Sequence, residues 1–324
     1  MKNTETDKLR IVFFGLGSIG KKHANIIKNL YNHELYAYRT GKGQEKTNTK
    51  IKEIHNVEEI PEIKPDIAFI TNPTFLHIET ALTCAKNNIN MFIEKPISHS
   101  LENTEKLEQE IKKRKLFTYI GYNLRFHPVI QELKNITQKE QKPTYFRAIC
   151  SSYLPNWRPN QDYTKTYSSK KEQGGGVTLD LSHEFDYINW LFNGITSITG
   201  YCDKISDLKI DTEDIVKADI TCKNTKGYLH LDYFTQDSQR KIVINYDDKY
   251  IEGDLLQNTI TIIDKNNKKT TKKYQCKPDE TYKNQIQYFF EQYQNKNNKI
   301  MNNYSEALKT FKKIMKFKQD HCKI

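Results

Sequence analysis

A short apolar run that ends in three closely spaced glycines constrains the fold of this chain more than any other feature. The segment reads RIVFFGLGSIGKKH, so Gly15, Gly17 and Gly20 lie between a predicted strand and a predicted helix. In that context the first glycine permits a tight turn, the second lets a pyrophosphate approach the backbone, and the third allows close helix–strand packing. Backbone N–H groups at the helix start, where Ser18 and Ile19 stand, would then face phosphates. The segment predicts a dinucleotide-binding turn, with an ordinary glycine-rich loop as the alternative.

The rest of the first 124 residues alternates strand and helix signals. The apolar runs HELYAYRT, PDIAFITNP, NMFIEKP and LFTYIGYN are separated by helically spaced KKHANIIKNLY, HIETALTCAKNN and LENTEKLEQEIKKRK. Strands that alternate with helices indicate parallel pairing, with helices on both faces of the sheet. We therefore predict an α/β fold whose residues 1–124 form a Rossmann domain, a doubly wound parallel sheet that binds a dinucleotide.

The pattern changes after this point. A helix near HPVIQELKNIT leads to TYFRAICSSY, to a helix near VTLDLSHEFDYINWLF, and then to consecutive segments with period-two alternation, before two final helices. Consecutive strands joined by turns indicate an antiparallel sheet, and 324 residues exceed what one core usually holds. Residues 125–324 are therefore predicted to form an α+β domain with a large, mostly antiparallel open sheet, for substrate binding and oligomerisation.

One face of that sheet is predicted to contact another subunit. The alternating apolar residues are Val216, Ala218, Ile220, Leu229, Leu231 and Tyr233. An apolar sheet face needs a cover, and the terminal helices alone are not expected to provide it. We therefore expect a homodimer or homotetramer.

The end of the second strand bears on the choice of cofactor. An acidic residue there would bond the adenosine ribose hydroxyls, but this strand ends with Arg39 and Thr40, a cation and a hydroxyl that could hold a 2′-phosphate. NADP is therefore favoured over NAD. The alternative is that Arg39 stacks on the adenine or lies in solvent.

Composition excludes several classes of protein. The formal charge is +11, but the lysines are spread over helix faces and polar turns such as KNNKKTTKK, which indicates solvated surface and a field that favours anionic small ligands, not nucleic acid. No apolar run is long enough to span a membrane, and MKNTETDK lacks a secretory core, so we expect no membrane partner and a cytoplasmic location. Six scattered cysteines predict free thiols and no metal site.

Four further segments complete a recognisable pattern. They are TNP at 71–73 with His77, EKP at 94–96, GYNLRFHP at 121–128 and GGGVTLDLSHEFD at 174–186. With the glycine turn, they make the chain resemble the glucose-fructose oxidoreductase/inositol dehydrogenase/MocA family over nearly its whole length. The resemblance implies a two-domain NAD(P)-dependent oxidoreductase that acts on sugars, cyclitols or nucleotide sugars, with an open sheet that often mediates oligomers.

The resemblance also implies roles for single residues. Lys95 would lie beside the nicotinamide and the reacting hydroxyl, His183 would accept the proton, and Asp180 would hold the substrate or the imidazole. The segments that would contact the cofactor, with Lys95, supply Thr71, Asn72, Pro73, His77 and Glu94. Many members place the histidine four residues after the aspartate, whereas here it follows by three. Both spacings share one face of a helix, but the difference weakens the role of Asp180.

Each catalytic assignment has a plain alternative. Lys95 could be a surface lysine before a proline, and His183 a capping or core histidine. For Asp186 a structural role is the better interpretation, because it lies one turn further on.

Besides Lys95, Asp180 and His183, three further residues are predicted to line the substrate site. Asn123 and Arg125 follow the last strand of the first domain and are expected in the cleft between domains, where a guanidinium fork can bind an anionic group. Trp157, with Tyr153 and Arg158 beside it, is placed on the opposite wall, and a purely structural role is an equal alternative.

The chemistry agrees with the resemblance. Oxidation of a secondary alcohol needs a base for the hydroxyl proton while a hydride leaves the same carbon, and a histidine next to a desolvated lysine suits this. The expected function is that of an NAD(P)-dependent sugar or nucleotide-sugar dehydrogenase or reductase, with a place in surface-glycan biosynthesis. A catalytically silent dinucleotide sensor is the alternative, but it has no chemical reason to keep both Lys95 and His183. The sequence names neither the substrate nor the reaction direction.

Overall fold

The computed structural model describes residues 8–39, 51–140, 142–297 and 300–323. The strands in this part of the chain are β1 (Arg10–Phe14), β2 (Glu34–Tyr38), β3 (Lys52–Ile54), β4 (Ile67–Ile70), β5 (Asn90–Ile93), β6 (Thr118–Ile120), β7 (Tyr145–Tyr153), β8 (Ile195–Asp203), β9 (Ile215–Cys222), β10 (Lys226–Asp232), β11 (Phe234–Asn245), β12 (Lys249–Asp254), β13 (Thr259–Asp264) and β14 (Lys269–Lys273). The α-helices are α1 (Ser18–Leu30), α2 (Ile60–Ile63), α3 (His77–Lys86), α4 (Thr104–Arg114), α5 (Pro128–Lys139), α6 (Val177–Asp180), α7 (Ser182–Leu191), α8 (Glu280–Gln294) and α9 (Tyr304–His321). None of these helices is long and apolar enough to cross a bilayer.

The chain packs into two compact units. Unit 1 comprises Met1–Gly121 and Tyr282–Glu306, and unit 2 comprises Tyr122–Thr281 and Ala307–Ile324. The chain therefore leaves unit 1 after Gly121, returns to it at Tyr282 and leaves it again after Glu306.

The sheet of unit 1 is parallel throughout. Its strand order is β3-β2-β1-β4-β5-β6. Strands β1, β4 and β5 are apolar and almost wholly buried, as expected of strands covered by helices on both faces. The predicted doubly wound Rossmann sheet is confirmed. Strand β3 was not predicted, because three residues are too few to show a period-two pattern.

Helix α8 explains the late return to unit 1. The ring of Phe289 lies 5.4 Å from that of Phe92 in β5 and 5.5 Å from that of Phe117. These edge-to-face aromatic contacts place the apolar side of α8 in the core of unit 1. Periodicity shows that a helix has an apolar face, but it does not show which sheet that face covers.

The sheet of unit 2 is mostly antiparallel, as predicted. Its strand order is β14-β13-β12-β11-β7-β10-β9-β8. Among the described strands of this sheet, only β7 and β10 pair in parallel. The lysine-rich run at 265–273 is not a simple turn, since it contains β14, whose five residues are all exposed. A strand exposed on both faces carries no apolar alternation, and lysines on an edge strand discourage pairing with other chains.

The predicted subunit-contact face of this sheet is already covered. The residues in question are at most 2 % exposed: Val216, Ala218, Ile220, Leu229, Leu231 and Tyr233. Helix α6 packs against β9 and β10, while the intervening residues Lys217 and Asp219 are exposed. The prediction that this apolar face contacts another subunit is therefore wrong, because elements of the same chain bury it.

Two of the six cysteines are paired. Cys202 in β8 and Cys322 after α9 form a disulfide, with their Cα atoms 4.5 Å apart. The expectation of free thiols is wrong for this pair, and it is confirmed for Cys84, Cys150, Cys222 and Cys276. The two residues are 120 positions apart, so no spacing rule could have joined them.

A buried histidine makes the stability of unit 2 depend on pH. His127 precedes α5, and its Nδ1 accepts a hydrogen bond from the Val129 N–H. Burial, assisted by the charge of Arg240, outweighs the Asn258 hydrogen bond and lowers the pKa of His127 to about 4. Because the folded pKa lies below the unfolded value of about 6.5, the unfolded chain binds the proton first as pH falls, and stability is lost between about pH 6.5 and pH 4.

Between pH 7 and pH 4.5, we therefore expect the wild type to lose roughly 2–3 kcal/mol more unfolding free energy than the His127→Asn variant. Asparagine can still accept the capping hydrogen bond, so the two proteins should differ little at pH 7. Urea titrations at both pH values measure the effect. Equal losses in the two proteins would show that His127 titrates normally.

Candidate functional site

The turn after β1 is shaped by close backbone approach. Gly15 has φ +95°, and a Cβ atom on it would stand 2.8 Å from the Cα of Asn72, so only glycine fits. A Cβ atom on Gly20 would collide with the Gly15 carbonyl oxygen. At Gly17, by contrast, a Cβ atom would meet no described atom within 4 Å. The turn is therefore tightly packed against backbone atoms at Gly15 and Gly20, and it has open space beside Gly17.

Helix α1 presents its amino end to this opening. Gly17 is its N-cap, and no acidic residue lies in its first turn. The Lys21 N–H donates to the Gly17 carbonyl at 2.9 Å, so the preceding amides of Ser18, Ile19 and Gly20 have no acceptor within the helix. Three amides at the positive end of a helix dipole are a favourable arrangement for binding an anion.

A cavity of about 580 Å³ extends from this turn, a volume within the usual range for small-molecule sites. Its walls come from the turn, the end of β2 and the start of α3, and include Gly15, Gly17, Tyr38, Arg39, Asn72, Pro73, Leu76 and Thr80. The Asn72 amide donates to Thr80 Oγ1 at 2.8 Å. Its Oδ1 is buried and accepts no hydrogen bond from the described residues. This oxygen in the cavity wall is therefore available to accept a hydrogen bond from a bound nucleotide.

Two other predicted cofactor residues hold the loops in place. The Thr71 hydroxyl donates to the Gly15 carbonyl at 2.6 Å. His77 is 2 % exposed, and its ring nitrogens lie 2.9 Å from the Pro96 carbonyl and 3.0 Å from the Asn72 carbonyl. Burial lowers the pKa of His77, so the neutral ring donates to only one of these carbonyls at a time. Both side chains therefore hold neighbouring loops together through hydrogen bonds to backbone carbonyls.

The predicted 2′-phosphate site is partly described. Thr40 lies outside the described residues. Arg39 lines the cavity, but its Nη1 also donates to Glu53 Oε1 at 2.8 Å. The cation on which the NADP prediction rests therefore has a carboxylate partner in β3, which no spacing in the sequence indicated.

Lys95 is the second residue after β5, at the carboxyl edge of the sheet where α/β proteins bind ligands. The preceding Glu94 is buried, and its Oε1 lies 2.5 Å from His23 Nε2 while its Oε2 accepts the Lys95 N–H at 3.1 Å. The carboxylate is thus held from both sides. Glu94 fixes the backbone that carries Lys95, and His23 in α1, which no sequence pattern indicated, holds the other carboxylate oxygen.

Asp180 and His183 lie in unit 2 on separate helices. Asp180 ends α6 and His183 is in the first turn of α7, with Leu181 between the helices at φ −97° and ψ 26°. The expectation that one continuous helix carries both residues is wrong, because the helix breaks at this residue. His183 is 8 % exposed, and its ring lies 5.6 Å from the Tyr122 ring, edge to face.

The Asp180 carboxylate is surrounded by tyrosines. The Tyr233 hydroxyl donates to Asp180 Oδ2 at 2.5 Å, and Tyr167 is also hydrogen-bonded to this carboxylate. The negative charge of Asp180, with burial, raises the pKa of Tyr167, while burial and Asp180 raise that of Tyr233. Both phenols therefore stay protonated and act as hydrogen-bond donors to the Asp180 carboxylate.

Trp157 and Arg158 contact the tyrosines that surround Asp180. The Trp157 indole Nε1–H donates to Ser152 Oγ at 2.9 Å, and the indole ring meets that of Tyr233 edge to face at 5.2 Å. The Arg158 guanidinium stands 5.4 Å from the centre of the Tyr167 ring. Trp157 and Arg158, which were predicted to lie on the opposite wall of the substrate site, are therefore connected to Asp180 through two tyrosines that no sequence pattern indicated.

Glu213 fixes the glycine-rich segment that precedes α6. Its Oε1 lies 2.6 Å from Lys318 Nζ, and its backbone carbonyl accepts the Val177 N–H. Gly176 has φ +104°, and a Cβ atom there would stand 2.5 Å from the Glu213 carboxylate. The third glycine of GGGV is thus required by a buried carboxylate 37 positions further along, which spacing alone could not reveal.

Arg125 and Asn123 are buried inside unit 2. Arg125 is 1 % exposed and binds Asp186 in bidentate fashion, with Nε and Nη2 at 2.9 and 2.8 Å from the two carboxylate oxygens. Asn123 is 5 % exposed and donates to Thr281 Oγ1 at 2.7 Å. This geometry gives Asp186 the structural role that was favoured, and it does not support the prediction that the Arg125 fork binds an anionic substrate group.

Comparison with known proteins agrees with this geometry. The model of an oxidoreductase family with an NAD-binding Rossmann fold matches residues 9–122, and the GFO/IDH/MocA C-terminal domain model matches residues 142–252. The chain is 29 % identical to myo-inositol 2-dehydrogenase from Thermotoga maritima over 194 residues, which cover 56 % of this chain and 54 % of that protein. The chain spans about half the length of the curated relatives it matches.

Solved structures extend the likeness to almost the whole chain. The UDP-N-acetylglucosamine 3-dehydrogenase from Acidithiobacillus ferrooxidans superposes with a TM-score of 0.80 at 17 % identity, covering 98 % of both chains. Levoglucosan dehydrogenase in complex with NADH superposes with a TM-score of 0.84 at 13 % identity, covering 97 % of this chain and 98 % of that one. At such identities the likeness shows the fold. With both domain models matched in chain order and the paired parallel and antiparallel sheets in place, the chain belongs to the Gfo/Idh/MocA family of oxidoreductases.

Proposed function

We propose that this chain is an NAD(P)-dependent dehydrogenase or reductase that acts on a hydroxyl-bearing or keto carbon of a sugar, cyclitol or nucleotide sugar. The observation that carries the proposal is the arrangement within unit 1. The open glycine turn after β1 and Lys95 after β5 stand at the same carboxyl edge of one parallel sheet. A dinucleotide held at the turn would therefore run along the edge that presents a lysine ammonium group.

The nicotinamide of a bound cofactor supplies the hydride acceptor or donor. The amides that begin α1 would bind the pyrophosphate, and Asn72 would accept a hydrogen bond from the nucleotide. The Lys95 ammonium group would stabilise the charge that develops on the reacting oxygen. His183 would take up the hydroxyl proton during oxidation and return it during reduction. Asp180, held by two protonated tyrosines, would keep the substrate or the imidazole in place.

Relatives support the proposed substrate class. One sequence relative is a myo-inositol 2-dehydrogenase, and one structural neighbour is a UDP-N-acetylglucosamine 3-dehydrogenase. One name gives a cyclitol as the substrate, and the other gives a nucleotide sugar. A nucleotide sugar and a place in surface-glycan biosynthesis are the finer proposal, and Tyr167 and Trp157 near Asp180 offer aromatic faces that suit a sugar ring.

The test of the function is an assay at 340 nm. Purified protein is offered NADH or NADPH with keto sugars, and NAD or NADP with inositols, free sugars and UDP-, GDP- and CMP-sugars, while cofactor binding is measured in parallel. Cofactor-dependent turnover of at least one ring alcohol or ketone is expected. Tight cofactor binding without any turnover would favour the silent sensor, and no binding of either cofactor would exclude both functions.

The open face of the unit 2 sheet is the proposed contact between subunits. Tyr145, Tyr201 and Tyr228 on this side are 37–42 % exposed, and a groove beside them is lined by Ile149 and His230. Exposed aromatic residues grouped on a sheet indicate an interaction surface. Light scattering at micromolar concentration should therefore report a homodimer or homotetramer, and Tyr228→Lys should shift it towards monomer. A wild-type monomer under these conditions would contradict the proposal.

A further inference from the structure

A carboxylate stands beside the cation at the end of β2. Glu53 lies in β3, which pairs with β2 so that Ala37 is opposite Glu53, and the Arg39 N–H donates to the Ile54 carbonyl at 3.0 Å. This register brings Glu53 Oε1 to 2.8 Å from Arg39 Nη1. The two side chains are 18 % and 27 % exposed, so solvent screens the pair only in part.

Arg39 also lines the cavity of about 580 Å³ that extends from the glycine turn, together with Tyr38 and Val57. The 2′-phosphate that distinguishes NADP from NAD carries up to two negative charges, and a guanidinium fork is its best protein partner. To bind that phosphate fully, Arg39 must be shared with Glu53 or released from it. The 2′-hydroxyl of NAD has no charge, so NAD binding makes no such demand.

His55 completes the surroundings of this pair. Its Nε2 lies 3.9 Å from Glu53 Oε2, and its Nδ1 lies 3.0 Å from the Arg39 carbonyl. Because a histidine lies beside the pair, all ligands and variants should be measured in one buffer at one pH.

We infer that Glu53 is a specificity-determining residue that holds down the affinity for NADP. Its carboxylate competes with the 2′-phosphate for the Arg39 guanidinium and repels the phosphate. Arg39 thus allows the chain to accept NADP, and Glu53 sets how far NADP is preferred over NAD. The inference rests on the proposed function only in assuming that the cavity binds a dinucleotide.

The test compares binding, not activity. Dissociation constants are measured by isothermal titration calorimetry for NAD and NADP and for the fragments ADP-ribose and 2′-phospho-ADP-ribose, which lack the nicotinamide. Glu53→Gln should raise the affinity for the phosphorylated ligand of each pair by about tenfold relative to its partner. Glu62→Gln in α2 removes the same charge from an exposed site in unit 1 and should change the ratio less than about twofold.

A variant without the cation separates competition from simple repulsion. In an Arg39→Met background, Glu53→Gln should change the ratio much less than it does in the wild type, because there is no guanidinium left to release. An undiminished effect there, or an unchanged ratio for Glu53→Gln alone while NAD still binds, would overturn the inference. Failure of the wild type to bind any of the four ligands would instead overturn the proposed function.

Discussion

Replacement of Lys95 by methionine is expected to lower kcat by roughly a hundredfold or more while cofactor binding persists. Methionine keeps the length of the side chain and removes its charge, so the loss should fall on the transition state, where charge develops on the reacting oxygen. The measurement is steady-state turnover with a ring substrate found in the 340 nm screen, beside a titration of the cofactor. Lys86→Met in the last turn of α3 is the matched control and should change kcat little.

The same assay separates the roles of Lys95 and His183. If His183 takes the hydroxyl proton, kcat/KM for oxidation should rise with pH through a group near the free imidazole value of about 6.5, because only the neutral ring accepts a proton. His183→Asn should remove that limb. Near-normal turnover of His183→Asn with an unchanged pH profile would assign the base elsewhere. A Lys95→Met variant that turns over normally would contradict the role of the ammonium group.

Asp186→Ala is expected to lower the unfolding free energy by roughly 3–5 kcal/mol. The variant leaves the Arg125 guanidinium buried without its bidentate carboxylate, at a position where both side chains are at most 3 % exposed. Urea unfolding of wild type and variant at pH 7 measures the difference. Glu108→Ala removes one partner of an i,i+4 pair in α4 that includes the exposed Lys112, and it should cost no more than about 0.5 kcal/mol.

A double variant tests whether the cost comes from the unpaired charge. Arg125→Met combined with Asp186→Leu removes both charges and keeps apolar volume, so it should recover a large part of the stability lost in Asp186→Ala. A loss below about 1 kcal/mol in Asp186→Ala would mean that water reaches Arg125. That result would reopen the prediction that this guanidinium binds an anionic substrate group.

The sequence alone was sufficient for the features that depend on near neighbours in the chain. The turn with Gly15, Gly17 and Gly20 could be predicted because a strand, a tight turn and a helix start follow each other within about ten residues, and each needs a particular local backbone. Most of the longer strands and helices in both units could be predicted from apolar periodicity in the same way. Lys95 could be placed at the carboxyl edge of the first sheet because it lies two residues after the end of a buried strand.

Contacts between distant positions required the tertiary structure. Arg125 was predicted to bind substrate, but the fold brings it to Asp186, 61 positions away, and Arg39 to Glu53 across two strands. Local patterns likewise did not predict the tyrosines around Asp180, the contact of His23 with Glu94, or the sheet that α8 covers. Local patterns report which backbone a segment adopts and which of its faces is apolar. They do not report which charge meets which, because the free energy of such a pair depends on burial and distance that only the packed chain defines.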